Sequence, residues 1–219
     1  MEKILPGEVR EMERYLEKLM QYSPDGKRLL IAIDGRCGCG KSSLGAELAE
    51  KLDGNLFHMD DYYLPFRFRQ ENWETIPAGN MDLHRFYADV LEPARKGQTI
   101  HYRAFSCPLR QYLPEKVFSP CAVNIVEGSY SQHPLLAESY DVKLFITAER
   151  EVQELRLRAR EGEHYSAFEK IWIPMEERYF RAFSVEEKAD CVIRTDAENP
   201  QWIWTKNNSS DRQNFRFQL

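Results

Sequence analysis

Residues 29–52, LLIAIDGRCGCGKSSLGAELAEKL, limit the folds open to this chain more than any other stretch. Leu29, Leu30, Ile31, Ala32 and Ile33 form an unbroken apolar run, the pattern of a strand buried on both faces. Gly35, Gly40, Lys41 and Ser42 then satisfy the G-x-x-x-x-G-K-[ST] spacing of a phosphate-binding loop. Glycines let the backbone wrap a polyphosphate and aim successive N–H groups at it, and the following helix adds its positive dipole end. Gly35, Cys37, Gly38, Cys39, Gly40, Lys41, Ser42 and Ser43 are the candidate nucleotide-binding residues. Lys41 is placed to reach the outer phosphates and Ser42 to ligate Mg²⁺. Leu44, Leu48 and Leu52 recur at i+4 between Glu47, Glu50 and Lys51, which is amphipathic helix spacing. A glycine-rich turn without a ligand is the weaker alternative, because the buried strand before it and the helix behind it are both in place.

The 219 residues suit one α/β domain with an elaboration, and 42% hydrophobic with 30% charged residues is a globular composition. A formal charge of −5 argues against an extended nucleic-acid surface, and no apolar run approaches the roughly 20 residues of a membrane span. Partner expectations are therefore a small molecule, with no nucleic acid and no membrane; a homo-oligomer stays open. The acidic start MEKILPGEVREMERY does not read as a signal peptide. Five cysteines without paired C-x-x-C spacing point to free thiols in a reducing cytoplasm.

Along the chain, residues 8–21 read as a leading amphipathic helix. A second strand is expected over Leu56–Met59, a helix around 82–95, and a hairpin strand from Ile100 to Phe105. Further strands fall at Ala122–Val126, Val142–Ile146 and Cys191–Ile193, with a charged helix from about Glu149 to Glu161. Ser166 and Glu169 have capping-box spacing for a helix that buries Phe168, Ile171, Trp172, Met175 and Tyr179, and Pro174 should kink it. Strands alternating with helices predict a parallel sheet covered on both faces. The expected organisation is a single domain over 1–205, with an elaboration over 62–120 and a loose tail over 206–219, although Trp202 and Trp204 could pack down.

Several residues bear chemistry. Glu127 closes the apolar strand AVNIVEG, where a carboxylate can orient Mg²⁺ and its water beside the phosphate loop. Asp60 and Asp61 follow the second strand, and the carboxyl ends of strands form the ligand crevice of an open α/β sheet. One of them could take the proton of an attacking hydroxyl; the alternative is that both solvate a loop. Arg156 and Arg160 share a helical face at i, i+4, which suits anionic phosphates, and a solvated face with glutamate counter-charges competes. Tyr62, Tyr63, Tyr102 and Phe105 could stack on a planar group or could be plain core.

The segments IAIDGRCGCGKSS, HMDDYYLP, GNMDLHRF, VNIVEGSY, YDVKLFI and EKADCVI, in this order over about residues 28–195, resemble the uridine kinase and phosphoribulokinase group of P-loop kinases. The resemblance implies a three-layer α/β fold with a five-stranded parallel sheet ordered 2-3-1-4-5. It also implies ATP with Mg²⁺ as donor and phosphorylation of a small-molecule hydroxyl, by a uridine kinase-like enzyme acting on a nucleoside or related metabolite. By the same resemblance the catalytic base falls on Asp60, sugar-hydroxyl contacts on Asp82, the acceptor pocket on Tyr63 and Tyr102, and the Mg²⁺-linked acid on Glu127. Arg160 resembles a lid arginine, with Arg156 nearby and the lid spanning 156–168. HYRAFSCPLRQY has no histidine after Tyr102 to read a pyrimidine, and EGEHYS replaces the usual lid arginines. An ATP-binding regulatory protein with little transfer activity is the alternative function. Cys37 and Cys39 sit beside a helix N-terminus and Lys41, which predicts a lowered thiol pKa, inactivation by alkylation and protection by MgATP; two inert small residues are the alternative.

Overall fold

The computed structural model describes residues 28–196 and 201–204. The expected helix at 8–21, the tail over 206–219 and the side chains of Trp202 and Trp204 lie outside the described residues.

The leading strand β1 (Leu29–Gly35) is buried at every residue. Its alternate side chains serve two cores: Leu30 and Ala32 face one layer of helices, whereas Leu29, Ile31 and Ile33 face Leu44 and Leu48 of helix α1 (Lys41–Lys51). A strand flanked on both sides in this way requires apolar residues throughout, which is why the run lacks polar alternation. Burial of each Leu or Ile on this strand contributes about 1.5–3 kcal/mol.

Around β1 stand β2 (Asn55–His58), β7 (Val123–Glu127), β8 (Val142–Thr147) and β9 (Cys191–Arg194), all parallel, in the order β2-β7-β1-β8-β9. Counted along the sheet strands alone, this is the expected 2-3-1-4-5 order. The edge beyond β9 carries one strand the sequence reading lacked, β10 (Gln201–Trp204), which pairs antiparallel. Ile31 pairs with Ile125 on one side and Val142 on the other, so β1 is the centre of the register.

Between β2 and β7 the chain builds an elaboration on one face. Helix Leu83–Phe86 continues through a π turn, Tyr87–Leu91, into Glu92–Lys96. Two nested hairpins follow, β3 (Ile100–Tyr102) with β6 (Lys116–Phe118) and β4 (Phe105–Ser106) with β5 (Gln111–Tyr112). Phe57, Tyr62, Phe86, Tyr102 and Phe118 interlock here at ring separations of 5.0 to 5.7 Å. These aromatics are core, each edge-on or tilted contact adding roughly 0.5–1.5 kcal/mol beyond burial.

After β8, the helix Arg150–Glu161 passes through a short 3-10 turn, Gly162–His164, into Tyr165–Ala167, a π turn at Phe168–Trp172 and the helix Ile173–Phe183. Ser166 lies within a helical turn and caps nothing, so the capping-box reading is corrected. Pro174 occupies the first turn of Ile173–Phe183, where a missing N–H is tolerated, and the π turn ahead of it absorbs the change in the ladder. Phe168, Ile171 and Trp172 are only half-buried, while Met175 and Tyr179 enter the core.

Candidate active site

Parallel pairing brings the carboxyl ends of β1, β2 and β7 to one edge, where Glu127 pairs with His58 on one side and Ile33 on the other, and β1 continues past Ile33 to Gly35. Gly35 is required by close approach: a Cβ there would collide with the backbone carbonyl of Ile146 on β8, and its φ is +133°. Gly38 and Gly40 also hold positive φ, at 76° and 100°, which turns the loop over the start of α1. The loop thus surrounds an N–H-rich concavity suited to phosphate.

Within it, the Lys41 ammonium donates to the carbonyls of Gly35 at 2.8 Å and Arg36 at 3.1 Å. Burial disfavours its charge, but the surrounding Glu176 carboxylate and neighbouring groups outweigh that and raise its pKa, so Lys41 is a fixed cation. Ser42 Oγ donates to Glu127 Oε2 at 3.1 Å, placing a hydroxyl and a carboxylate together at the helix start. Such hard oxygen donors fit Mg²⁺, which takes few protein ligands and shares the rest with phosphates and water. Glu127 is itself buried and its second oxygen meets His58 Nδ1 at 2.6 Å; that pairing, chiefly the hydrogen bond, raises the His58 pKa.

Across the cleft, Asp60 follows β2 in the 3-10 turn Met59–Tyr62. Tyr63 Oη donates to Asp60 Oδ1 at 3.1 Å. Protein surrounding the carboxyl raises its pKa, with Lys41 opposing and Glu127 reinforcing the shift. A carboxylate whose pKa is raised is a better proton acceptor than an ordinary one. Asp61 is committed elsewhere, accepting from Tyr102 Oη at 2.7 Å. One cleft of about 250 Å³ is lined by the loop residues Cys37, Gly38, Gly40, Lys41, Ser42 and Ser43, together with Asp60, Tyr63, Glu127 and Arg160.

Four of the expectations meet other contacts in the structure. Tyr102 is buried, bonded to Asp61 and His58, and lies outside the cleft. Asp82 caps the helix Leu83–Phe86 by accepting from the Arg85 N–H at 3.3 Å, and it pairs with the Arg85 guanidinium, again outside the cleft. Arg156 turns from Arg160 to hold the Thr195 carbonyl at 2.7 Å and hydroxyl at 2.9 Å, so only Arg160 of that pair reaches the cleft. The surroundings of the two thiols oppose ionisation: burial and the Glu176 carboxylate push Cys37 far up, and burial pushes Cys39 up to about 11 despite Lys41.

Residues distant in sequence complete the site. Glu176, buried on the helix Ile173–Phe183, accepts from the Cys37 backbone N–H, from Ser129 Oγ at 3.3 Å and from Gln153 Nε2 at 3.2 Å. Arg36 is held by Glu177 of the same helix at 2.6 Å and by Glu186 of the short helix Val185–Lys188 at 3.1 Å, tying the phosphate loop to both. Asp34, fully buried, accepts from the N–H groups of Gly35 and Gln132 and from Tyr179 Oη. The identifiable signals were small: an acid before the first glycine, and two adjacent acids in an otherwise aromatic helix.

No family model matches the chain. A 64-residue stretch, 29% of the chain, is 31% identical to a "Probable gluconokinase" of Xenopus tropicalis, and it spans a third (33%) of that relative. Among solved structures, a Bacillus stearothermophilus protein described as a "Possible Uridine Kinase" superposes with a TM-score of 0.62 at 17% identity, covering 84% of this chain and 98% of that one. A D-glycerate 3-kinase from Cryptococcus neoformans gives 0.61 at 12% identity, over 91% and 100% of the two chains. Phosphoribulokinase from Rhodobacter spheroides gives 0.53 at 10%, over 78% and 71%. The chain shares the fold of these solved structures, a parallel five-stranded sheet with helices on both faces and a phosphate loop after the first strand. Among the described residues, no helix is long and apolar enough to cross a membrane.

Proposed function

We propose that this chain is an ATP-dependent kinase that transfers the γ-phosphoryl group to a hydroxyl of a small molecule, a nucleoside or related polyhydroxylated metabolite, in the cytoplasm. The observation that carries this reading is the meeting, in one cleft, of a phosphate loop with a half-buried lysine and an oriented carboxylate, Asp60, on the facing wall.

In the proposed reaction the acceptor oxygen forms a bond to the γ-phosphorus while the bond to the β,γ-bridging oxygen breaks. ADP leaves and the hydroxyl proton passes to Asp60. Tyr63 holds the Asp60 carboxyl in place, Lys41 and the loop N–H groups steady the phosphates, and Arg160 offsets charge that builds on the transferring group. Ser42 and Glu127 would hold Mg²⁺, which when bound neutralises phosphate charge. Residues 62–120 serve as the acceptor-side insertion and 156–168 as a short lid. Positioning and electrostatics supply the rate, as phosphoryl transfer requires.

The test is ADP formation by the purified protein with MgATP, with and without a panel of nucleosides, sugars and sugar acids. Consumption that depends on an acceptor supports the kinase; ATP binding with no acceptor-dependent turnover supports the regulatory alternative instead.

A further inference from the structure

Strand β8 lies inside the sheet, with β1 on one side and β9 on the other, and every residue of Val142–Thr147 except Lys143 is buried. Lys143 stands opposite Ala32 in the register, and Phe145, two residues on, enters the core between the sheet and its helices. Alternation therefore directs Lys143 toward that covered face, where a lysine is rare unless it is paired. Among the described residues, no carboxylate forms an ion pair with its ammonium. Asp190 meets Lys143 through the backbone instead, its Oδ2 accepting from the Lys143 N–H at 2.8 Å.

The side chain lines a cavity of about 350 Å³ that shares no residue with the active-site cleft. Phe183, Val185, Pro134 and Ala137 give this cavity its apolar surface, and Lys188 adds a second ammonium. Two links run from its wall to the phosphate loop. Gln132, itself buried, donates from its backbone N–H to Asp34 Oδ2 at 2.9 Å and from its side-chain amide to the Leu144 carbonyl at 2.8 Å. Phe183 packs edge-on against Tyr179 at 5.9 Å, and Tyr179 Oη donates to the same Asp34 oxygen at 2.8 Å. Asp34 Oδ1 in turn accepts from the N–H of Gly35, the first glycine of the loop, at 2.7 Å.

We propose that this cavity is an effector site for a small organic monocarboxylate, held by Lys143 and felt at the phosphate loop through Gln132 and Asp34. The ligand carboxylate pairs with the Lys143 ammonium, and its apolar body covers Phe183 and Val185. The volume suits a compact molecule, at the small end of the roughly 300–1,000 Å³ of ligand pockets. Charge narrows the class further. Asp190 and Glu138 also reach the wall and repel a second negative charge, so a phosphate dianion fits less well than a carboxylate. A neutral molecule leaves Lys143 unpaired. Because Asp34 is held from the cavity and from the loop, filling one changes the affinity of the other, and linkage makes that coupling reciprocal.

Ligand-observed NMR on the full chain measures binding of phenylacetate, isovalerate, their neutral amides and phenyl phosphate, with and without a saturating non-hydrolysable ATP analogue. The analogue-loaded arm keeps the probes out of the phosphate loop. There, phenylacetate or isovalerate should bind with a Kd of about 1 mM or lower, tighter than its amide and than phenyl phosphate by about tenfold or more. Removing the analogue should change the carboxylate Kd by about fivefold or more. Lys143→Met should bring acid and amide within about twofold of each other and erase the response to the analogue. Ala137→Trp, which fills the cavity and keeps the charge, should abolish binding of both, with analogue affinity and unfolding temperature retained in each variant. No carboxylate binding, an acid-to-amide ratio preserved in Lys143→Met, or phenyl phosphate binding tighter than phenylacetate to the loaded protein overturns the site. Should Lys143→Met fail to fold, binding that persists in Ala137→Trp overturns it alone. Carboxylate affinity indifferent to the analogue overturns the link to the loop. None of these readouts uses an acceptor, so each result stands apart from the kinase reading.

Discussion

The Glu176 carboxylate accepts hydrogen bonds from the backbone N–H of Cys37 at 3.1 and 3.2 Å, and from the Cys37 thiol at 3.1 Å. An anion supplied by the protein thus occupies a donor of the phosphate loop, and it opposes ionisation of the very thiol that the helix dipole and Lys41 favour. Cys37 Sγ is also met by Gln153 Nε2 at 3.4 Å. Iodoacetamide at pH 7.5 should therefore modify Cys37 and Cys39 much more slowly than a free model thiol, because the thiolate is the nucleophile and both pKa values are raised. Peptide mass spectrometry over time measures this; rapid labelling of Cys37 that MgATP blocks would restore the activated-thiol expectation.

The same carboxylate bears on nucleotide binding. Phosphate oxygens drawn to the Cys37 N–H meet a like charge, which costs about 1 kcal/mol or more at this range. Glu176→Gln is expected to tighten binding of a non-hydrolysable ATP analogue by about fivefold or more. Burial raises the Glu176 pKa, so the wild-type charge fades as pH falls and wild-type affinity should rise toward acid more than that of the variant. Calorimetric titration at several pH values reads both effects. Weaker binding by Glu176→Gln at every pH would show that the carboxylate supports the bound nucleotide.

Asp60→Asn should lower turnover by about 10²- to 10⁴-fold, the usual worth of a positioned base, with nucleotide binding nearly unchanged. The Asp60 pKa is raised by its surroundings and the base must be ionised. Activity should accordingly fall as pH drops, with the acid limb of the kcat/KM profile centred above the ordinary carboxylate range and missing from the residual activity of the variant. Near-normal turnover by Asp60→Asn would move the base elsewhere.

Tyr63→Phe removes the hydroxyl that donates to Asp60 without removing the ring. Turnover should fall by about tenfold, in line with the loss of one hydrogen bond to a charged group worth roughly 1.5 kcal/mol or more. Steady-state kinetics with saturating MgATP measure it, and an unchanged rate would mean that Asp60 needs no such support.

His133 provides a pH-dependent contribution to stability away from the cleft. Its ring lies stacked 6.2 Å from Tyr179 and edge-on at 5.0 Å to Phe183, and burial lowers its pKa to about 4. The unfolded chain, with a histidine near 6.5, binds the proton first, so stability contributed by neutral His133 is lost as pH falls from about 6.5 toward 4. His133→Gln should lose less stability than wild type between pH 7 and 5, by on the order of 1 kcal/mol after allowing for solvent at the ring edge. Urea unfolding at the two pH values compares them; equal losses would contradict the burial of a neutral ring.

The layered sheet was legible because its information is local. Val123–Glu127 is a continuous buried run, Val142–Thr147 is buried at all but Lys143, and Leu44 and Leu48 repeat at helical spacing, so each element declares itself within a few residues. The phosphate loop is local in the same sense, since Gly35 through Ser42 carry their own geometry. The facing wall is not. Asn80, Tyr130, Trp172 and Glu176 meet there only after the chain has folded, and no spacing joins them. Side-chain direction was the other hidden quantity: Arg156 and Arg160 share a helical face, yet Thr195 captures the first and leaves the second at the cleft. Asp82 and Tyr102 were drawn into helix capping and an aromatic core by neighbours that pattern alone does not reveal.

Acceptor-dependent ADP release is the most direct test of the central claim. With MgATP and a panel of nucleosides, sugars and sugar acids, wild type should release ADP in proportion to a phosphorylated product with at least one acceptor, and Asp60→Asn should not. ADP released at the same rate with no acceptor, or no ADP with any acceptor despite bound nucleotide, would contradict it.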